Sequence, residues 1–282
     1  ELCACLVGSE MCIRDSGSGQ PMRTLVKPRA LFTGLSALCL LSIWLSLALG
    51  PVSLPLFDTL RAALRLIGVP IAGEGLEQAE LILGQIRLPR TLLGLAVGGV
   101  LALSGVAMQG LFRNPLADPG LVGVSSGAAL GAAIAIVGGA AFGGLPEVMG
   151  PYLLSLCAFI GGLGVTALVY RLGRRNGQTN VAVMLLAGIA LTALAGSAVG
   201  LFTYLADDAT LRTLTFWNLG SLNGASYARL WPLLIVTAGV ALWLPRRANA
   251  LNALLLGESE ASHLGIDVEG LKRELVFCTA LG

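Results

Sequence analysis

Charge, histidine and aromatic rings are scarce in this chain of 282 residues, and each scarcity excludes something. Charged residues make up 12%, against about 25% in a soluble globular domain. Apolar residues reach 55% and the mean hydropathy is +0.82. That composition belongs to a membrane protein, whose first partner is the lipid bilayer. A single histidine, His263, excludes a bis-imidazole haem site within the chain. No glycine-rich phosphate loop ending in Gly-Lys-Ser/Thr occurs, so the chain does not itself hold ATP. No cluster of His, Cys or acids gathers at a common depth, which disfavours a membrane enzyme; no cofactor and no metal is expected. The basic residues lie between apolar runs rather than in a patch, so the net charge of +2 gives no reason to expect nucleic acid.

Six cysteines are present, and none reads as a redox or metal site. Cys39, Cys157 and Cys278 lie inside apolar runs, where a thiol behaves as a small hydrophobe. Cys3, Cys5 and Cys12 fall in a stretch without periodicity and without an accompanying histidine. Residues 1–21 read as a non-native or disordered extension, with the native chain beginning at Met22, and they are set aside.

What is abundant is apolar helix. Six runs free of Asp, Glu, Lys, Arg and His follow Met22: Ala30–Leu49, Thr91–Met108, Leu121–Val137, Tyr152–Tyr170, Val181–Leu205 and Leu230–Leu244. Each is near the length that crosses a hydrocarbon core of about 30 Å. A seventh run starts at Leu275 and the sequence stops at Gly282, which reads as a truncated span. The expected fold is all-α: a polytopic transmembrane helical bundle of six complete spans plus part of a seventh. Placing the N-terminus in the cytoplasm puts Arg23, Lys27, Arg29, Arg113, Arg171, Arg174, Arg175, Arg246, Arg247, Lys272 and Arg273 inside. It leaves Arg61, Arg65, Arg87, Arg90, Arg212 and Arg229 outside, and the asymmetry favours that orientation. Glycines four apart (Gly94/Gly98, Gly123/Gly127/Gly131, Gly196/Gly200) permit close helix approach.

Several shorter segments stand out. Leu56–Gly68 places Leu56, Leu60, Ala63, Leu64 and Ile67 on one face, the pattern of an interfacial helix. Asp207–Trp231, rich in aromatic and loop-forming residues, suits the headgroup zone. In "FRNPLADPG", Asn114-Pro115 and Asp118-Pro119 end one helix before the next begins, and Arg113 anchors the turn. A rigid turn is the favoured role for Arg113, Asn114, Pro115 and Pro119, a supporting contact to a partner or gate the other. In Ala253–Glu274, Glu258 and Glu260 open a short helix, His263 closes it and Gly265 suits a left-handed cap. That helix is either an ordinary surface element or one that inserts into a partner's groove.

The stretch Gln85–Gly131, with "LLAGIALTAL", "FWNLGSLNG" and "LLLGESEASHLGID" following in order, resembles the iron-siderophore, haem and vitamin B12 ABC-importer permeases. These are the membrane subunits of type II importers, and the likeness runs from Met22 to Gly282. It implies a ten-span permease domain over residues 22–282, lacking its last spans, and a paired second copy. It further implies two ATPase subunits in the cytoplasm, an extracytoplasmic substrate-binding protein, and a location in the cell inner membrane. The cargo so implied is a metal chelate, foremost an iron-siderophore complex, with haem or cobalamin as alternatives, and ATP hydrolysis belongs to the partner. By the same resemblance, Glu258, Glu260, Ala261 and Gly265 form the ATPase-coupling helix. Thr179, Asn180, Val181, Ala182 and Val183 lie near the cytoplasmic gate, at the start of the pathway-lining fifth span. Arg87 and Arg90 are two arginines just outside the second span that dock the binding protein. A secondary carrier is the competing class; it wants a membrane-embedded ionisable or unwound site, and the six runs hold no ionisable residue.

Overall fold

The structure is a computed structural model that describes residues 28–50, 52, 54–66, 68–71, 76–141 and 150–282. The Cys3–Cys5–Cys12 stretch and the start at Met22 lie outside the described residues. Two compact units are present, divided after Ser53. In the first, α1 (Pro28–Ala48) is one apolar helix. All else described here belongs to the second.

There, α2 (Leu56–Leu66) is followed by α3 (Leu76–Ile82), a π-helical turn Leu83–Arg87 and α4 (Leu88–Phe112). Then come α5 (Val124–Ala141), α6 (Gly150–Gly173), the hairpin β1 (Arg174–Arg175) and β2 (Gln178–Thr179), and α7 (Val181–Leu205). The chain continues through α8 (Asp208–Leu219), α9 (Tyr227–Trp243), α10 (Ala248–Leu256), α11 (Glu258–His263) and α12 (Val268–Leu281). The all-α expectation is met, but the count of spans is corrected. Among the described residues, five helices are long and apolar enough to cross a membrane: Arg29–Ala48, Leu76–Phe112, Tyr152–Gly173, Val181–Leu205 and Tyr227–Leu256. The run Leu121–Val137 falls short because Pro119–Val122 forms a 3₁₀ turn and Gly123, at φ +80°, interrupts the helix before α5 starts. What remains is the shorter apolar helix Val124–Ala140.

Two further boundaries differ. The second span does not begin at Thr91; helix runs unbroken from Leu76 to Phe112. Glu77, Glu80 and Arg87 interrupt the apolar run without interrupting backbone hydrogen bonding. The carbonyl of Gly84, in the π turn, accepts a 2.7 Å bond from the Tyr227 hydroxyl at the start of α9. Likewise Arg246 and Arg247 end the hydropathy of the sixth run, while the helix continues through Pro245 to Leu256. The Asp207–Trp231 connector holds a helix of its own, α8, whose N-cap Asp207 accepts from the Thr210 amide at 2.9 Å. In α2 the inward face carries buried Thr59 and Ala62 rather than Leu60, which is exposed. Arg65 ties α2 to Glu80 of α3 at 3.2 Å.

One of the glycine rows packs closely. Gly127 and Gly131 of α5 face Gly161 and Cys157 of α6 so tightly that a Cβ on any of the three glycines would overlap facing backbone. By contrast, Gly98, Gly196 and Gly200 have nothing within 4 Å of a would-be Cβ. The main core lies beyond that pair. Met108 and Leu111 of α4, Val169 of α6, Met184 of α7, Leu254 of α10 and Leu275 of α12 meet in one cluster. That cluster is the floor on which the polar end of the unit is built.

Candidate functional site

The site begins with a tight turn. Asn176 and Gly177 both have positive φ, 52° and 82°, as a two-residue type I′ hairpin requires. The turn folds β2 back on β1, pairing Arg174 with Thr179 and Arg175 with Gln178. Asn180 follows as the N-cap of α7, its side chain accepting from the Val183 amide at 3.1 Å. That cap satisfies one of the orphan amides of the first turn. Thr179 is thereby fixed at the junction of hairpin and helix, and it is buried. Val181 is half-buried, and Ala182 and Val183 are exposed in the opening turn of α7.

A second short element approaches it. Helix α11 spans Glu258–His263 and ends where Gly265 takes φ +79°. The Gly265 amide bonds the Ser262 carbonyl at 2.9 Å and the Ile266 amide bonds the Ala261 carbonyl at 3.1 Å. This paired pattern is a Schellman cap, and the left-handed residue it needs is the glycine. Ala261 is fully buried and pins the helix to the unit, while Glu260 projects outward. Asp267 then caps α12 by accepting from the Gly270 amide at 2.9 Å.

Lys272 joins these pieces. It has no exposed surface, and its ammonium donates to three acceptors. These are the Thr179 carbonyl at 2.9 Å, Glu258 Oε2 at 2.7 Å and Glu269 Oε1 at 3.0 Å. The other oxygen of Glu269 accepts from the Thr179 amide at 2.9 Å and from its hydroxyl at 2.6 Å. A buried ammonium is costly unless all its donors are matched, and here three protons meet three acceptors. Burial pushes the Glu269 carboxyl up. The Thr179 hydroxyl and amide and the Lys272 ammonium outweigh it and hold the group below its ordinary value.

Above this cluster opens a polar cleft of about 970 Å³. Its walls include Arg113, Thr179, Asn180, Glu258, Asp267 and Glu269. Residues assigned separately from sequence to a turn, a gate region and a coupling helix thus share one cavity. Arg113 reaches it from a left-handed C-cap of α4, φ 49°, a conformation costing a non-glycine residue about 1 kcal/mol. The turn after it is rigid: Asn114 accepts from the Leu116 amide at 2.9 Å and Asp118 from the Gly120 amide at 2.7 Å. Pro115 and Pro119 are the middle residues of the two turns that those bonds close.

Arg87 and Arg90 stand elsewhere, away from this cleft. Both lie within the continuous helix, at the π turn and the first turn of α4. Arg87 is 6% exposed, with its neighbour Thr91 donating to its carbonyl at 2.9 Å. Arg90 alone of the two is exposed. Among the described residues no group of three or more His, Cys, Asp or Glu could hold a metal ion.

Sequence reasoning passed over Lys272 and Glu269, counting the former only as an inside charge. It also passed over the Asn176-Gly177 pair, whose turn signal is plain in the sequence.

The chain is similar to several curated transport proteins. The hemin transport system permease protein HmuU of Yersinia pestis is 46% identical over 202 residues, 70% of this chain and 58% of that protein. The cobalamin import system permease protein BtuC of Halobacterium salinarum is 42% identical over 201 residues, covering 71% and 52%. The vitamin B12 import system permease protein BtuC of Salmonella newport is 40% identical, covering 72% and 59%. The chain therefore spans just over half the length of these curated relatives. A solved structure described as an inward-facing conformation of a metal-chelate type ABC transporter superposes with a TM-score of 0.72 at 31% identity. That match covers 90% of this chain and 73% of the other. Residues 38–282 match the FecCD transport family, and the chain belongs to that family.

Proposed function

We propose that the chain is the membrane permease of an ATP-driven importer for a metal chelate, an iron-siderophore complex in the first instance. In this reading it sits in the inner membrane with its N-terminus in the cytoplasm. It pairs with a second copy, two ATPase subunits bind its cytoplasmic side, and a soluble binding protein delivers the chelate outside. It catalyses no reaction of its own. The observation that carries the reading is the shared cleft. The short helix α11, suited to a partner's groove, lines one cleft with the hairpin and α7 opening that would form the cytoplasmic gate. Nucleotide-driven motion of a partner gripping α11 would then act directly at Thr179–Val183, biasing the dimer between two states. The membrane-length helices of the second unit carry long charge-free stretches, which suit a pathway through which a bulky chelate can move without being held. Relatives named for hemin and for cobalamin support the chelate class.

The test is uptake. The permease is reconstituted in proteoliposomes with its ATPase and binding protein and offered ferric siderophore, hemin or cobalamin. ATP-dependent accumulation of a ferric siderophore is the expected result. Uptake of hemin or cobalamin instead would move the cargo within the class, and uptake driven by an ion gradient without ATP would overturn the class. Arg90 supplies a second measurement. Arg90→Glu is expected to slow capture of the binding protein several-fold at low salt, with the difference shrinking as ionic strength rises. Equal capture rates at low salt would make Arg90 an interfacial anchor only.

A further inference from the structure

We infer that Lys272 is a positioning residue: it clamps the first residue of α11 to Thr179, so that the short helix and the hairpin end move as one body. The inference rests on the proposed importer reading for its consequence, but its geometry stands independently. Glu258 and Thr179 are separated by a long stretch of chain containing α7 to α10, yet they are bridged by one ammonium nitrogen. The two sides of the clamp are built unequally. Thr179 is held at every polar atom it has: its carbonyl by Lys272, its amide and hydroxyl by Glu269. On the α11 side there is the one ion pair at 2.7 Å, to a Glu258 side chain that keeps 41% of its surface exposed. Glu258 can exchange that pair for water at small cost, whereas Thr179 cannot leave without stranding buried donors and acceptors. The hairpin end is thus the fixed jaw, and Glu258 the jaw through which load arrives or is released.

Nothing else described links the same segments by charge. Arg247 and Glu274, paired at 2.8 Å, join the start of α10 to α12 but reach neither α11 nor the hairpin. They provide an internal control on the same helix as Lys272.

The clamp is tested by distance measurement in the membrane-embedded chain. Spin labels are placed at Ser262 and Gln178, both exposed, on a background with the native cysteines replaced by serine. With Lys272 intact the distribution is expected to be narrow. Lys272→Met should broaden it at least two-fold, Lys272→Arg should restore most of the narrow component, and Glu274→Gln should leave it unchanged. If Lys272→Met does not insert, Glu258→Gln, which removes only the exposed jaw, decides by the same readout. In the assembled transporter Lys272→Met should lower uptake per ATP hydrolysed about ten-fold while hydrolysis itself persists, and Lys272→Arg should recover coupling. An unchanged distribution in a folded Lys272→Met or Glu258→Gln chain would overturn the clamp, whatever transport does. A wild-type assembly that never imports a chelate would instead remove the importer reading, and the distances alone would still decide the clamp.

Discussion

Helices α5 and α6 and the Lys272 cluster belong to the same unit and are held by opposite means. Where α5 meets α6, Gly127, Gly131 and Gly161 let backbones touch. At the cluster, three segments meet through bonds of 2.6–3.0 Å to charged groups. Close packing of this kind has no partial state: a methyl group either fits or displaces backbone. A polar cluster with one exposed jaw has several, because water can replace one member at a time. The contrast teaches where a membrane bundle keeps its rigidity and where it can move.

The largest effect is expected at the glycine contact. Gly131→Ala puts a Cβ onto the Cys157 carbonyl oxygen and within 3.2 Å of Gly161 Cα, so one helix must shift. A loss of about 3 kcal/mol is expected, read as a lower midpoint in denaturant titration of the detergent-solubilised chain. Gly138→Ala, on the same helix with nothing within 4 Å, serves as control and should be neutral or slightly stabilising. Equal midpoints for the two variants would mean that the two helices do not meet through these glycines.

Gly265→Val probes the other region by backbone strain alone. The position has φ +79° and open space around a Cβ, so overlap contributes nothing. The left-handed conformation should cost a β-branched residue about 1 kcal/mol or more. Because the strain sits in the cap of α11, we expect fraying of that helix and a loss of coupled uptake with membrane insertion intact. Hydrogen exchange at Ser262 and His263 measures it, and unchanged protection would contradict the Schellman assignment.

How legible each region is follows from where its partners lie in the chain. Helix α7, Val181–Leu205, has its boundaries in the sequence because Asn180 caps it and Asp207 follows it. Helix α11 is legible for the same local reason: acids at one end, Gly265 past the other. Helix α8 is not legible from hydropathy, since Arg212, Asn218 and three threonines dilute it; its cap Asp207 was the available signal. The extension of α4 back to Leu76 was hidden by Glu77, Glu80 and Arg87, charges that a helix tolerates and an apolar-run search does not. The Lys272 clamp is illegible because its acceptors stand 3, 14 and 93 positions away, and only the folded chain assembles them.

Acidity should separate the regions most finely. Burial raises the Glu269 carboxyl pKa, but its bonds from Thr179 and Lys272 lower it further, so the folded value lies below the unfolded one. A depressed carboxylate contributes stability that is fully present above its unfolded value and is lost as pH falls through the folded value. At neutral pH the cluster is therefore at full strength, and it weakens only below the ordinary glutamate range. Asp207 follows the same sign, lowered first by the Thr210 hydroxyl and then by its amide, so its contribution must be separated by Asp207→Asn. Glu269 is part-exposed and water screens its pairs, which limits the expected shift in Tm to about 1–2 °C. Wild type should lose this increment on acidification, and Glu269→Gln should lack it while melting lower at neutral pH. Gly131→Ala should melt lower at every pH with the wild-type pH dependence unchanged, because its contact contains no titrating group. If Glu269→Gln keeps the whole acid-induced loss of wild type, the carboxylate at Thr179 is not what acid weakens, and the division between a steric region and an ionic one fails.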